Sequence, residues 1–414
     1  MSVVDQLKNA KESEIIARSL TEETKNTLLN LIADEIYNNK DRILEVNAVE
    51  VENAKSNGLN ESQIDRLILN QARIDAMIES ARNVASLSEP VGAVLETIVR
   101  DSGITIEKIS VPIGVVAVIY ENRPNVTLDS ACICLKSSNV CVLRGSSSAL
   151  NTNRTIVECI HTALRKTELP ESLVTFVEDE SREGALKVMQ ARDYIDVLIP
   201  RGGSSLIESV QENAKVPTII DGSGNCHVYV DKDADLDMAE KLVVNSKTQR
   251  TSVCNAAESL VVHTSVAREF VPRIIKALKN KDVDIVGDKN VIDIDSSVPE
   301  ANEEDFGCEY LDKKISIAVV DSLDDAIKWI NKYSSGHTES IITDNPESKN
   351  KFVNGILSAV VMHNTSTRFT DGERFGFGAE IGISTQRLHA RGPMALRELT
   401  TYQYRVTSSG ATVN

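Results

Sequence analysis

The stretch GVVAVIYENRPNVTLDSACICLKSSNVCVLRGSS, residues 114–147, decides the predicted fold. It opens with a nearly continuous apolar run at 114–121, which is typical of a strand buried on both faces. A helical pattern at 126–138 follows, and a second apolar run begins at 139. Strand, helix and strand in this order indicate a parallel pair in an open sheet. Ligands bind such sheets at the carboxyl ends of the strands, so the polar residues there are candidates for function.

The same alternation of strands and helices continues on the carboxyl side of this stretch. Further strands are predicted at 172–179 and 193–203, with helices at 148–169 and 204–215. A strand and a long amphipathic helix occupy 226–247, and 258–330 reads as a second α/β unit. Residues 1–90 carry helical patterns only. We therefore predict an α/β protein with two doubly wound domains.

Two further segments predict strands outside these domains. Residues 94–111 read as a hairpin, because β-branched runs flank the turn Asp101-Ser102-Gly103. Residues 400–406 form a last strand candidate with alternating aromatic side chains. An exposed hairpin is an edge that needs covering, so we expect an oligomer contact here. A purely intramolecular ribbon is the alternative.

Composition limits the classes of function. The chain has 414 residues, which is too long for a single core. Its net charge of −16 argues against nucleic acid and anionic membranes as partners. No apolar run reaches the length of a membrane span, and the start of the chain does not read as a secretory signal. Seven irregularly spaced cysteines indicate reduced thiols in the cytoplasm, and no CxxC or HxxxH spacing predicts a metal site.

Cys254 is the cysteine with a chemical setting of its own. It lies in the polar stretch NSKTQRTSVCNAAESLVVH, residues 245–263, near Lys247 and Arg250. A thiol acts as a nucleophile in its thiolate form, which nearby cations favour. The alternative is a small buried hydrophobe, which suits the cysteines in apolar or helical patterns: Cys132, Cys134, Cys141 and Cys159.

Three strand ends carry polar residues suited to anions. Arg201-Gly202-Gly203-Ser204 lies between a strand and a helix, where glycine allows backbone N–H groups to approach a diphosphate. Arg144 ends another strand and could bind a 2′-phosphate or a ribose. Asn125 follows the first strand, and its amide could donate to an oxyanion. A tight turn, a solvated strand end and a Pro-Asn turn are the respective alternatives.

Together these motifs resemble the aldehyde dehydrogenase superfamily. Within it, the chain is most similar to the branch that reduces L-glutamate 5-phosphate to L-glutamate 5-semialdehyde in the second step of proline biosynthesis. The resemblance covers roughly two-thirds of the chain, with 245–260 and 366–394 as its most specific stretches. The other matching stretches are 111–127, 142–153, 201–207, 222–237 and 336–343.

The resemblance implies roles for individual residues. It makes Cys254 the nucleophile that forms a thioester and Asn125 the oxyanion donor. It implies NADPH/NADP+ as the cofactor. The cofactor would be bound on its adenosine side by Arg144, Ser146 and Ser147, at the pyrophosphate by Gly202, Gly203 and Ser204, and at the nicotinamide ribose by Glu373 and Phe375. The substrate anions would be bound by Arg123, Arg250 and Arg368, with His337 and Arg391 as further candidates, although each could instead form an ordinary salt bridge.

Two departures from the family pattern bear on the reaction. Oxidising members carry a glutamate base where this chain reads Asp221-Gly222-Ser223-Gly224, and Asp221 beside that place is one methylene shorter. The missing base favours a thioester that is reduced rather than hydrolysed. NAD-preferring members often place a glutamate at Ser147, and its absence beside Arg144 predicts NADPH over NADH.

The resemblance also implies domain boundaries and partners. The NADP(H)-binding domain would comprise 1–93, 114–230 and part of 370–395, and the catalytic domain 231–369. The oligomerisation elements would be 94–113 and 396–414, which implies a homo-oligomer. Coupling to a glutamate 5-kinase, which makes the unstable acyl phosphate, is a further expectation.

Three other functions remain as alternatives. The first is an NAD(P)-dependent dehydrogenase for another aldehyde or acyl phosphate. The second is a cofactor-free acyltransferase that uses the Cys254 thioester. The third is an oligomeric scaffold without activity, which the joint presence of Cys254, Asn125 and Glu373 disfavours.

Overall fold

The computed structural model describes residues 1–220 and 222–413, without the side chains of Ser62 and Ser204, and the chain divides into two compact units. Unit 1 comprises Met1–Asp221, Gly376–Gly382 and Met394–Asn414, and unit 2 comprises Gly222–Phe375 and Ile383–Pro393.

The helices and strands follow in chain order. The helices are α1 (Val3–Glu12), α2 (Glu14–Ser19), α3 (Glu22–Asn38), α4 (Lys40–Ser56), α5 (Glu61–Leu67), α6 (Gln71–Ser86), α7 (Pro124–Lys136), α8 (Leu150–Lys166), α9 (Arg182–Gln190), α10 (Ser204–Asn213), α11 (Leu236–Thr248), α12 (Thr264–Lys279), α13 (Lys289–Ile294), α14 (Glu303–Gly307), α15 (Leu323–Tyr333) and α16 (Pro346–Gly355). The strands are β1 (Val94–Val99), β2 (Thr105–Pro112), β3 (Val115–Tyr120), β4 (Val140–Arg144), β5 (Val174–Phe176), β6 (Val197–Arg201), β7 (Cys226–Val230), β8 (Ala257–His263), β9 (Asp284–Gly287), β10 (Lys314–Val320), β11 (Thr338–Ile342), β12 (Val360–His363), β13 (Gly382–Ser384), β14 (Gly392–Met394) and β15 (Thr400–Thr407).

Unit 1 is built on a parallel sheet in the order β5-β4-β3-β6. Every residue of β3 is buried, as its apolar run predicts. Val116 of β3 lies opposite Cys141 of β4 on one side and Val197 of β6 on the other. After β3 the chain forms β4 and β5 on one side of that strand, and then β6 on its other side. The carboxyl ends of β3 and β6 flank this switch point, where open sheets bind ligands.

Helix α7 connects β3 to β4 and begins at Pro124, whose fixed φ suits a first helical turn. Its side chains are buried along nearly the whole length, including Cys132 and Cys134. Cys141 and Cys159 are buried as well, so all four thiols expected in the core lie there. The helical prediction for 126–138 is confirmed.

A three-stranded antiparallel sheet, β1-β2-β15, also belongs to unit 1. The predicted hairpin at 94–111 and the predicted strand at 400–406 are both confirmed, and they pair through β2. Every residue of β1 is exposed, and large apolar side chains lie open to solvent on both edge strands: Val94, Leu95, Val99, Tyr402 and Tyr404.

Unit 2 contains a parallel sheet in the order β12-β11-β7-β8-β10-β9. Strands β7 and β8 are buried throughout, and α11 and α12 cover one face of the sheet. Helix α11 begins after Asp235, whose carboxylate accepts hydrogen bonds from the N–H groups of Asp237 and Met238. Asp235 therefore caps the first turn of α11.

Some elements of unit 2 have no clear sequence pattern. Strand β11 reads TESII, and its Glu339 is fully buried. Glu339 accepts hydrogen bonds from the His227 N–H at 2.8 Å and from Ser358 Oγ at 3.0 Å. These bonds satisfy a carboxylate that alternation would place at the surface. The shorter elements β9, β12, α13, α14 and α16 also were not predicted.

Candidate active site

The loop that holds Cys254 joins α11 to β8 in unit 2, and its backbone is fixed from two sides. Gly224 approaches so closely that a Cβ there would lie 1.5 Å from the carbonyl oxygen of Cys254. The thiol of Cys226 donates a hydrogen bond to the same oxygen at 3.2 Å. Cys254 is half-buried, whereas Cys226 is fully buried. The loop therefore presents one accessible thiol on a constrained backbone.

The residue after the candidate nucleophile is anchored by Arg368. Asn255 donates through Nδ2 to the carbonyl oxygen of Thr370 at 2.6 Å and accepts a hydrogen bond from the Arg368 guanidinium. Arg368 also donates through Nε to Gln249 Oε1 at 2.9 Å. Its side chain is buried, and within the described part of the chain its hydrogen bonds go to neutral amides. A buried guanidinium without a carboxylate partner suits an anionic ligand.

Electrostatics link Arg368 to its surroundings. Burial lowers the pKa of the Arg368 guanidinium, and the positive charges of Arg374 and Arg250 lower it further. Asp371 and the Cys254 thiol act in the opposite direction. Arg368 therefore lies within range of the charges of both Arg250 and Cys254, which is the arrangement expected for a thiolate and an anionic substrate.

The other cations predicted in unit 2 have different environments. Lys247 is fully buried and forms an ion pair with Glu258 at 2.5 Å, so its charge is compensated internally. Arg250 is exposed, and Arg391 is exposed while donating to the carbonyl oxygen of Leu357. His337 is fully buried, with Nδ1 at 2.8 Å from Thr338 Oγ1 and 3.5 Å from the Cys226 sulfur.

A carboxylate from another part of the chain contacts residues 222–224, the segment that lacks the glutamate base of the oxidising family members. The N–H of Gly224 donates to Oε1 of Glu309 at 2.7 Å. Sequence reasoning missed Glu309, because it lies in a loop after α14 without a pattern of its own. Gly222 packs against Thr385, 2.3 Å from Oγ1 to the position of a Cβ. Asp221 lies outside the described residues.

Glu373 and Phe375 lie in a turn at the end of unit 2's main segment. Asp371 closes the turn by accepting the N–H of Glu373 at 3.1 Å. Both predicted cofactor side chains are exposed. They are therefore accessible to a ligand.

In unit 1, Asn125 occupies the first turn of α7. It is half-buried, and its Nδ2 donates to Oδ2 of Asp129 at 3.0 Å. Arg123 precedes the helix as its N-cap residue, with φ near −137°. The amide thus lies at the carboxyl end of β3, where the sequence predicts it.

The carboxyl end of β4 presents a cation and a hydroxyl cluster. Arg144 donates through Nη2 to the carbonyl oxygen of Glu180 at 2.8 Å, while its buried Nε has no partner among the described residues. Ser146 and Ser148 contact each other at 2.7 Å, and Ser148 also donates to Asn122. Ser147 is exposed. Ser148 and Asn122 were not predicted.

The glycine turn after β6 already holds a carboxylate. Gly203 is the N-cap of α10, and its N–H donates to Oε2 of Glu121 at 2.9 Å. A Cβ on Gly202 would lie 2.5 Å from the same oxygen. The turn therefore binds an anionic oxygen through its backbone, which is what a diphosphate requires, and Glu121 occupies that position. Ser204 begins α10, but its side chain lies outside the described atoms.

Within the described part of the chain, neither a metal-binding cluster nor a membrane-spanning helix is found. Among residues 1–220 and 222–413, no group of three or more His, Cys, Asp or Glu side chains is arranged to hold a metal ion. None of the helices in the described part of the chain is both long and apolar enough to cross a membrane.

Comparison with known proteins gives full-length similarities. The aldehyde dehydrogenase family profile matches residues 2–304. A γ-glutamyl phosphate reductase of Clostridium botulinum is 47% identical over 401 residues, covering 97% of each sequence. The crystal structure of γ-glutamyl phosphate reductase from Thermotoga maritima matches with a TM-score of 0.97 at 46% identity, covering 100% of both chains. Glyceraldehyde-3-phosphate dehydrogenase from Methanocaldococcus jannaschii, complexed with NADP, shares the fold at 17% identity with a TM-score of 0.72, covering 98% of this chain and 94% of its own.

Proposed function

The chain belongs to the aldehyde dehydrogenase family, and we propose that it reduces L-glutamate 5-phosphate to L-glutamate 5-semialdehyde with NADPH, the second step of proline biosynthesis. The predicted fold class and the predicted branch, the γ-glutamyl phosphate reductases, are confirmed by the full-length similarities. The observation that carries the proposed chemistry is an accessible thiol, Cys254, on a fixed backbone beside the buried cation Arg368.

The first step forms a thioester on Cys254. The thiolate attacks the acyl carbon of the substrate, the C–S bond forms, and the bond to the phosphate oxygen breaks. Phosphate leaves as a stable anion, so the step needs little acid catalysis. The Asn125 amide and the backbone N–H of Cys254 donate to the oxyanion, as the family resemblance implies. Covalent catalysis thus divides one difficult displacement into two easier steps.

The second step reduces the acyl group and releases the enzyme. Bound NADPH supplies the hydride for this step. Cys254 then departs as thiolate when the hemithioacetal oxygen re-forms its carbonyl bond, which gives the semialdehyde. Residues 222–224 offer no carboxylate side chain to activate water, so the thioester survives long enough to be reduced.

Most of the proposed cofactor contacts lie in unit 1. Gly202, Gly203 and Ser204 would hold the diphosphate, and Ser146 the adenosine side. Arg144, whose Nε has no partner within the described part of the chain, would donate to the 2′-phosphate beside Ser147. Glu373 and Phe375 remain the proposed contacts for the nicotinamide ribose. We expect Arg144→Ala to weaken NADPH binding far more than NADH binding, and equal losses would contradict a 2′-phosphate contact.

Substrate recognition is assigned to cations around Cys254. Arg368 and Arg250 would bind the phosphate and the carboxylate, because the charge of Arg368 is felt by Cys254 and that of Arg250 by Arg368. Arg123, His337 and Arg391 remain weaker proposals. Arg368→Met should raise KM for the acyl phosphate while leaving the Kd of NADPH unchanged. Arg82→Met serves as its matched control, since Arg82 is exposed and pairs with Asp34 on the surface.

Assembly and location complete the proposal. The exposed apolar side chains of β1 and β15 support a homo-oligomer formed through this sheet. The reduced cysteines support a cytoplasmic location. An unstable acyl phosphate also supports functional coupling to a glutamate 5-kinase. Light scattering gives the molar mass of the purified chain in solution. The double variant Leu95→Glu with Tyr404→Glu, which places a charge at each position, tests whether this sheet forms the oligomer contact.

The function is tested by Cys254→Ser. This variant should lose reduction of the acyl phosphate completely while retaining NADPH binding, measured by fluorescence titration. Cys308→Ser is the matched control, because Cys308 is the other half-buried thiol and should retain activity. Turnover of Cys254→Ser near the wild-type rate would rule out the covalent route.

Oxidation of an aldehyde with hydrolysis is the second candidate function. The contact between Glu309 and Gly224 favours it, because it brings a carboxylate to the motif that lacks the family base. Oxidation of aldehydes in the absence of phosphate, abolished by Glu309→Gln, would support this reaction over the proposed one.

A further inference from the structure

The side-chain amide of Asn125 is held by a carboxylate from its own helix. Asp129 lies one turn further along α7, and its Oδ2 accepts a hydrogen bond from Asn125 Nδ2 at 3.0 Å. We propose that Asp129 is a positioning residue that orients the Asn125 amide toward the substrate oxygen. This inference rests on the oxyanion role proposed for Asn125.

An asparagine amide needs such a partner because its two ends have opposite character. One end is an acceptor oxygen and the other carries two N–H donors. If the amide turned over, its oxygen would face the developing oxyanion and repel it. An ionised carboxylate only accepts hydrogen bonds, so Asp129 binds the N–H₂ end. One N–H then goes to Asp129, and the second remains for the substrate oxygen.

Asp129 is itself held from a second helix. Ser80 of α6 donates through Oγ to Oδ1 of Asp129 at 3.2 Å, so each carboxylate oxygen has a donor. Two anchored oxygens fix the plane of the carboxylate, and this plane fixes the direction of the Asn125 bond. The amide is thereby constrained although it lies in the first turn of α7, which has no side-chain cap.

Keeping the Asp129 carboxylate ionised where it is partly removed from water costs free energy. Burial raises the pKa of Asp129, while the bonds from Asn125 and Ser80 and the charge of Arg201 lower it. Its hydrogen-bond donors among the described residues are neutral. Asp129 is half-buried, and a carboxylate in such a place with neutral donors is weak as a stabilising device. Its direction toward Asn125 supports a functional role.

The test is a double-mutant cycle on the acylation step. Phosphate release is measured in a single turnover of the acyl phosphate, together with the Kd of NADPH and the melting temperature. We expect Asp129→Ala to slow acylation roughly tenfold to a hundredfold, since a misaligned oxyanion donor loses part of its contribution. The Kd of NADPH should be unchanged, and the melting temperature unchanged or higher. Ser80→Ala should slow acylation only a few-fold.

The double variant separates positioning from other roles. Asn125→Ala with Asp129→Ala should be no slower than Asn125→Ala alone, because Asp129 acts through Asn125. Additive losses, or a wild-type acylation rate for Asp129→Ala, would overturn the proposal. If Asp129→Ala folds poorly, Asp129→Asn takes its place in the cycle. Its Oδ1 can still accept from Asn125, so its acylation rate should lie between those of wild type and Asn125→Ala. A wild-type rate for Asn125→Ala would instead contradict the oxyanion role itself.

Discussion

The thiol of Cys226 lies 3.2 Å from the carbonyl oxygen of Cys254 and donates a hydrogen bond to it. Cys226 and Cys254 lie at the same site but differ in their chemical environment. Burial raises the pKa of Cys226 well above its ordinary value, and the charges of Glu339 and Cys254 add to the effect. Cys226 thus stays protonated and acts as a donor, while Cys254 is accessible.

Selective alkylation follows from this difference. Iodoacetamide at about pH 7.5 should modify Cys254 roughly tenfold or more faster than Cys226 and Cys308, because a raised pKa lowers the thiolate fraction. Peptide mass spectrometry over time gives the three rates. Cys254→Ser is the control and should remove the fast phase. Modification of Cys226 as the first site would contradict the assignment.

The approach of Gly224 to Cys254 predicts an intolerant glycine. Gly224→Ala places a methyl group 1.5 Å from a backbone oxygen, so the nucleophile loop must move. We expect at least a roughly hundredfold loss of kcat, as for other small displacements of reacting groups. Gly307→Ala is the control, because nothing lies within 4 Å of its Cβ position. An active Gly224→Ala variant would show that the loop geometry is unimportant.

The buried pair Lys247 and Glu258 predicts a large effect of breaking one partner. Glu258→Gln leaves the Lys247 charge buried without its counterion, which should lower the free energy of unfolding by roughly 3–5 kcal/mol. Lys247→Met with Glu258→Leu removes both charges and should recover most of that loss. Urea unfolding measures all three proteins. A double variant as unstable as the single one would contradict the pairing.

The same pair predicts a pH dependence. Burial raises the pKa of Glu258 from 4.5 to about 7, against the opposing effect of Lys247. Between pH 4.5 and about pH 7 the folded chain binds the Glu258 proton more tightly than the unfolded chain does. The contribution of Glu258 to the free energy of unfolding therefore falls as the pH rises through this range. Burial also lowers the pKa of Lys247 from 10.5, and this change affects stability only at alkaline pH. The stability of wild type relative to the double variant should therefore fall between about pH 5 and pH 7.5, and a constant difference would refute this.

Glu121 predicts a gain in cofactor affinity. Its carboxylate accepts the Gly203 N–H that a diphosphate would use, so the two anions compete. Glu121→Gln should tighten binding of NADPH and of inorganic pyrophosphate by roughly threefold to tenfold, as expected for removing one nearby charge. Glu178→Gln is the control, because Glu178 pairs with Arg154 on the surface. Weaker binding in Glu121→Gln would mean that Glu121 itself contacts the cofactor.

The fold was predictable where strands are buried on both faces. β3, β4, β7, β8 and β10 all read as apolar runs, and their order gave the two α/β units. Strand β11 escaped prediction because Glu339 is buried through hydrogen bonds from distant residues. Such bonds depend on tertiary structure and leave no periodic pattern in the sequence.

The site was predictable where chemistry and position coincide. The motifs predict roles for Cys254 and Asn125, and the structure places Cys254 in a loop and Asn125 after a strand, as expected, while their roles stay predictions. Glu121, Asp129 and Glu309 were not predicted, because each acts by contacting a residue far along the chain or one turn away. Lys247 was expected near the thiol as a cation, but the structure pairs its charge with Glu258.

One measurement tests the central claim, a Cys254 thioester that is built to be reduced rather than hydrolysed. The enzyme is mixed with L-glutamate 5-semialdehyde and NADP+ in the absence of phosphate, and NADPH formation is followed in the reverse direction. The account predicts a burst of about one NADPH per active site followed by arrest, with steady turnover after phosphate is added. Continuous NADPH formation without phosphate, or a burst that persists in Cys254→Ser, would contradict it.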